Sequence, residues 1–369
     1  MSASAIILGC ITGMVPLIAI TLAGAALTYL KIFNKASNDI ISKSYPEFFF
    51  PLYCLFNLAK YVDINKMSEL WPLFVSPTIT ISISGLIGFV FIPIMKPPKN
   101  LTFVTVTMIA LPNMANIPLL VVQGLCSSYG YLGDDDHCKD INGYIAIIAL
   151  TFNIFMWVGG LTLIRIDAIS KENERKVGDA ANEQEEIKEN EAKREPMPLK
   201  AILVKSFLSP IPVASFIGLI FGFIPGIKWL FFDDNAPLLS ISDSAMTIAY
   251  NGIVLSQMIL GSNIMLCKNQ IKEIDKKYAI WVTLFRNVII PGLILLYTYF
   301  VWWLGIFGDN KVMAYVNFIA ASCPTAIAVL IICQLYDVGI KECTLLSAVQ
   351  YITGLFTLTL FSYIFFLII

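Results

Sequence analysis

The sequence predicts an all-α membrane protein: ten transmembrane helices forming two inverted five-helix repeats, with helices 4 and 9 broken. Three observations carry that expectation. Composition is the first: 57% of residues are hydrophobic, only 14% are charged, and the mean hydropathy is +0.75. Soluble globular chains carry about 25% charged residues. The second is a series of ten apolar runs, each near the ~20 residues that cross a bilayer as helix. The third is a proline break in one run of each half, at Pro112 and Pro118 and again at Pro324. Proline removes a backbone donor and clashes with the preceding turn, and lipid supplies no water to replace the lost bond.

Taken in order, the runs fall at 5–30, 44–61, 70–95, 101–127 and 142–166, then at 201–224, 243–267, 278–304, 312–336 and 343–367. No Lys or Arg precedes the first run, which is unlike a signal peptide. The second run is the weakest, with Glu47 at its start and Lys60 at its end; Pro46 places Glu47 at a helix start. The first and sixth each open on an aliphatic-proline pair, Val15-Pro16 and Ile211-Pro212. Gly218, Gly222 and Gly226 in the sixth are spaced for close helix packing. Asp243 and Ser244 open the seventh like a helix cap. Arg286 lies inside the eighth and is expected to snorkel toward the cytosolic interface, with a gating or anion-attracting charge as the alternative. The fourth and ninth share a break followed by glutamine, Pro112 to Gln123 and Pro324 to Gln334.

Residues 167–200 carry 17 of the 51 charged residues in the chain. Such a segment cannot bury a core and reads as a disordered or frayed-helical linker. The expected organisation is therefore a repeat at 1–166, a linker at 167–200 and a second repeat at 201–369. Five spans per half is an odd number, so the second half must be inverted. Loop Lys and Arg divide 19 to 5 between alternate connections, which puts the linker in the cytosol and both termini on the other side. The sequon at Asn100 then faces the cytosol and stays unglycosylated.

Several function classes are excluded early. A net charge of −1 says nothing about nucleic acid and there is no aromatic-laced basic patch, while a single histidine, His137, leaves little room for His-based metal sites or triads. No cofactor or enzymatic activity is expected. The run Asp134, Asp135, Asp136 and His137, with Asp140, reads as a solvated acidic turn, since adjacent loop side chains do not form a metal cage. Cys126 and Cys138 share one non-cytosolic connection, where a disulfide can form.

The candidate site lies at the breaks. Asn113 and Asn116 set two amides between Pro112 and Pro118, and amides are costly in hydrocarbon unless partnered. Paired broken helices are the best sequence pointer to a transporter's binding site, with half-helix N-termini suited to a carboxylate. Ser322, Pro324 and Thr325 supply the second break, the hydroxyls serving the ligand or the freed backbone. Gln123 and Gln334 are candidates for the mouths of the pathway.

These residues resemble the auxin efflux carrier superfamily, and its PIN-LIKES branch more than the long-loop PIN carriers. Asn113-Met-Ala-Asn116-Ile-Pro118-Leu119 is similar to the branch motif Asn-x-Gly-Asn-Leu-Pro-Leu. Gly133-Asp134, Cys138, Gly143-Tyr144, Met156-Trp157-Val158-Gly159, Leu260-Gly261 with Asn263, Arg286 with Pro291, Gln334-Leu335 and Glu342-Cys343 also fit its pattern. Pro112 and Ala115 stand where the branch has glycines, Thr325 where it has a second proline, and Ala328 where it has an asparagine. The resemblance implies that broken helices 4 and 9 cross at their breaks, with a dimerising scaffold of helices 1, 2, 6 and 7 and a transport unit of helices 3–5 and 8–10, moving like an elevator. It also implies export of indole-3-acetate-like anions without sodium, in the endoplasmic reticulum or plasma membrane.

The expected function is secondary transport of a small organic anion, with membrane lipid and a second copy of the chain as partners. Two alternatives stand beside it: a sodium- or proton-coupled symporter of bile-acid type, and a receptor on the same fold without transport. The first needs a buried carboxylate, and Glu47 is the single weak candidate the sequence offers.

Overall fold

A computed structural model of the chain describes residues 3–62, 64–129, 140–182, 204–233 and 235–369. Its main elements are α1 (Ala3–Tyr29), α2 (Lys35–Ser44), α3 (Phe50–Tyr61), α4 (Pro72–Val90), α5 (Thr102–Ala110), α6 (Asn116–Tyr129), α7 (Ile141–Ile154) and α8 (Leu161–Asn182) in the first half. The second half has α9 (Pro210–Phe223), α10 (Pro225–Phe232), α11 (Leu239–Leu266), α12 (Lys276–Leu284), α13 (Ile290–Trp303), α14 (Lys311–Ser322), α15 (Ile327–Leu335) and α16 (Ile340–Ile368). There is no named strand among the described residues. Three joints are single π-helical segments, Tyr45–Phe49, Phe155–Gly160 and Phe285–Ile289, so α2–α3, α7–α8 and α12–α13 run on as continuous helices.

Five helical stretches are long and apolar enough to cross a membrane: Ile6–Tyr29, Pro72–Val90, Ile141–Glu174, Lys276–Trp303 and Ile340–Ile368. A sixth is the pair α9 and α10, bent by 99° at Ile224-Pro225, where proline disfavours helix in the residue before it. The other expected runs fall short for identifiable reasons. Helices α5 (9 residues), α6 (14), α14 (12) and α15 (9) are each too short for ~30 Å of hydrocarbon at ~1.5 Å per residue. Helix α11 is long enough at 28 residues but holds Asn251, Gln257 and Asn263.

The core centres on the ninth run. Every residue from Val312 to Gln334 is buried, and α5, α7, α13 and α16 pack around it. The two halves also meet along α1 and α11, so closely that a Cβ on Gly261 would collide with the Thr21 carbonyl oxygen. Gly218 and Gly222 of α9 lie against the α3 backbone at Leu55 and Leu58, while Gly226 faces open space.

Polar contacts sort the connections into two groups. In one, Lys66 pairs with Asp140 at 2.6 Å and Asn310 donates to the Tyr144 hydroxyl at 2.9 Å. In the other, Lys99 pairs with Glu174 at 2.8 Å, Lys171 donates to the Asp337 carbonyl, and Lys341 lies 3.7 Å from Glu273. Both side-chain ends of Asn100 are engaged in this second group, by Glu174 and Ser170.

One expectation takes a definite form, and three need correction. Helix continues to Asn182, so residues 167–182 take the helical form allowed for the linker, and Asp167 is buried within the fold; residues 183–200 lie outside the described residues. Helix α11 starts at Leu239, which places Asp243 and Ser244 inside it and not at a cap. Glu47 is exposed, whereas Asp167 and Glu342 are buried carboxylates. Arg286 does not snorkel; it is 0% exposed. The acidic run Asp134–Asp136 with His137 falls outside the described residues.

Candidate binding site at the paired helix breaks

Residues 111–115 separate α5 from α6, and residues 323–326 separate α14 from α15. The two gaps lie side by side as a short antiparallel bridge between Pro112 and Thr325. Pairing is reciprocal: Asn113 N–H donates to the Pro324 carbonyl at 2.8 Å, and Ala326 N–H donates to the Leu111 carbonyl at 3.0 Å. Backbone left without helical partners at the breaks is thus satisfied by its counterpart from the other half, as a buried chain requires.

Two helix C-termini (α5, α14) and two N-termini (α6, α15) converge here. A helix leaves its last carbonyls and first N–H groups unpaired, with partial negative and positive charge respectively. The carbonyl ends are closed by protein. The Arg286 guanidinium donates to the carbonyls of Ile109 at the end of α5 and of Ala321 and Cys323 at the end of α14, in four bonds of 2.5 to 2.8 Å. The π-helical turn Phe285–Ile289 carries this arginine; such turns commonly mark functional places in a helix. Thr325 Oγ1 lies 2.6 Å from both the Met108 carbonyl and Gln350 Oε1. The hydroxyl shares its single proton between these two acceptors, and Gln350 Oε1 also accepts from Thr325 N–H at 3.1 Å.

The N–H ends differ from each other. Asn113 Oδ1 accepts from Asn116 N–H at 3.2 Å and so caps α6, while its Nδ2 donates to the Tyr351 hydroxyl at 2.9 Å. No side chain caps α15. Beside these ends lie donors without partners. The Asn116 amide makes no hydrogen bond within the described residues, and Asn116 and Ala115 stay partly accessible amid buried neighbours. Gln350 Nε2 is buried and unsatisfied. Unpaired buried donors are expensive unless a ligand or water takes them.

The remaining expected residues fall as follows. Pro112, Pro118 and Pro324 are buried, the first and last in the bridge and Pro118 in the first turn of α6. Ser322 is buried with its hydroxyl unpartnered. Gln123 is exposed and reaches Asn142 at 3.4 Å, away from the breaks. Gln334 is buried at the other end of α15, in an amide chain running from Asn38 through Asn263 to Gln334 and Asp39. A separate cavity of about 530 Å³ sits near the Lys66–Asp140 pair, lined also by Glu69, Trp71, Tyr144 and Asn310, and does not touch the breaks. Sequence reasoning missed Gln350 and the capping carboxylate of Asp167, which accepts from Val104 N–H at the start of α5 at 2.8 Å.

Residues 10–362 match the family described as membrane transport protein. The chain belongs to that family. Relatives within the auxin efflux type are PIN-LIKES proteins of Arabidopsis thaliana. PIN-LIKES 5 is 24% identical over 91% of both chains, PIN-LIKES 3 is 23% identical over 82% of both, and PIN-LIKES 7 is 22% identical over 95% of both. For a membrane transport protein, the paired breaks are the natural place to look for the solute.

Proposed function

We propose that this chain is a multi-pass secondary transporter that moves a small organic, auxin-like weak-acid anion by elevator-type alternating access. One observation carries the reading: at the breaks, protein groups already occupy the carbonyl ends, while the α15 N-terminus has no side-chain cap and the Asn116 amide at the α6 N-terminus makes no hydrogen bond within the described residues. Uncapped N–H groups and neutral donors favour an anion, as at other helix N-termini. In this reading Asn116, Gln350 Nε2 and the first N–H groups of α15 hold the carboxylate. Asn113, Pro112, Pro118, Pro324, Thr325 and Ser322 shape the break around it.

The finer architecture belongs to the same proposal. The runs at 101–127 and 312–336 are crossing broken helices in a ten-span inverted repeat. The grouping of alternate connections at two ends supports that topology. Cys126 is disulfide-bonded, which fits a non-cytosolic place for its connection; Cys138 lies outside the described residues. Helices of runs 1, 2, 6 and 7 serve as a dimerising scaffold, the termini are non-cytosolic, and the endoplasmic reticulum or the plasma membrane is the proposed membrane. An anion leaving the cytosol gains about 2.3 kcal/mol per charge per 100 mV, which suffices as a driving force.

The test is flux of a panel of labelled weak acids, indole-3-acetate among them, through purified protein in liposomes. We expect uptake of at least one acid, its rate following the imposed voltage. Folded protein that moves none of them would favour the receptor reading instead.

A further inference from the structure

Where broken helices meet in a membrane, the carbonyl-rich C-terminal ends are the customary place for a mobile coupling cation. Here those ends converge as such a site would need: Ile109 from the first half, Ala321 and Cys323 from the second. A guanidinium sits among them, fully buried and bonded to all three oxygens. Arginine is always protonated, so its charge is permanent. Without it, converging carbonyls at two helix C-termini would be buried with partial negative charge and no partner.

We propose that Arg286 is a tethered cation: it fills a cation site built from the ends of α5 and α14 and thereby closes the breaks to a mobile coupling ion. The inference deepens the transport reading by assigning how that site escapes cation dependence. It also has a consequence independent of transport. Removal of the side chain opens a carbonyl-lined site for a small monovalent cation, guanidinium best of all, because planar N–H donors match three divergent oxygens as a point charge does not. Arg286 is a positioning residue here; it fixes the two breaks against each other, and the anion binds at the opposite, N-terminal ends.

The experiment measures thermal unfolding of purified protein in detergent, with the chloride of sodium, guanidinium, tetramethylammonium or N-methylglucamine at about 20 mM throughout, a level far below the molar range of denaturation. The wild-type melting temperature is expected to be the same in all four. Arg286→Met is expected to melt several degrees lower and to recover at least half of that loss in guanidinium but not in tetramethylammonium. Arg286→Lys is expected to fall between them and gain nothing from guanidinium. Flux adds a second readout: wild-type rates equal in sodium and N-methylglucamine, and an Arg286→Met rate reduced at least tenfold and raised by guanidinium. A wild-type melting temperature or rate that climbs with sodium overturns the proposal, whatever the variants do. So does a folded Arg286→Met protein indifferent to all four cations. A lack of flux by the wild type would instead count against the transport reading and leave the unfolding result to decide this one.

Discussion

Asn113 and Asn116 look equivalent in the sequence, yet the fold gives them different work. Asn113 spends both ends of its amide on protein, capping α6 and holding Tyr351. Asn113→Ala should therefore lower stability by about 1 kcal/mol, the usual value of a lost N-cap, or more as the Tyr351 hydroxyl loses its partner; a thermal or denaturant melt reads this. Thr325→Val removes the hydroxyl that faces Met108 and Gln350 and should cost about 1–3 kcal/mol, the penalty of a buried acceptor left unpaired. Thr325→Ser should recover most of that in the same melt. Both amides and the threonine were legible because polar groups beside proline in an apolar run have few reasons to exist. Gln350 was not legible. It is one polar residue in a long regular helix, α16, with no proline nearby, and only the packing of α16 against the second break gives it meaning. The sequence displays Arg286 but not its surroundings, since distance from a helix end says nothing about which side faces the carbonyls of other helices.

Among the elements, the half-helices depend on caps from distant sequence. Asp167 meets the first turn of α5 from α8, 63 residues away. Asp167→Ala should speed hydrogen exchange at Val104 and the neighbouring first-turn amides of α5, leaving α6 unchanged. No local pattern marks this cap, because composition assigns Asp167 to the charged linker whereas helix runs through it. Breaks themselves were readable to within a residue or two, since proline acts locally; their mutual pairing is a long-range fact with no local signal. Cys126 gives a second check on an element boundary. Alkylation of unfolded, unreduced protein should spare it, and a prior reducing step should expose it along with its partner.

At the scale of the whole molecule, the polar contacts join connections that the loop charge asymmetry assigns to one side, which supports the proposed topology. Cys267, just past α11, belongs to the end expected in the cytosol. It is partly accessible, and burial with the nearby Glu342 carboxylate pushes its thiol above the ordinary value. A raised value means less thiolate at a given pH, and the thiolate is the reactive form. Maleimide applied to sealed vesicles from the cytosolic face should label Cys267 at a rate still rising with pH where an exposed cysteine has levelled off. Labelling from the opposite face alone would invert the proposed topology.

The central claim is that the paired breaks hold a small organic anion at Asn116 and the uncapped start of α15. Equilibrium binding of a transported labelled acid to Asn116→Ala protein, with a melt of the same sample, tests it most directly. A hydrogen bond to a charged group contributes about 1.5–3 kcal/mol, so affinity should fall about tenfold or more while the melting temperature holds. Undiminished binding by the folded variant would contradict the account.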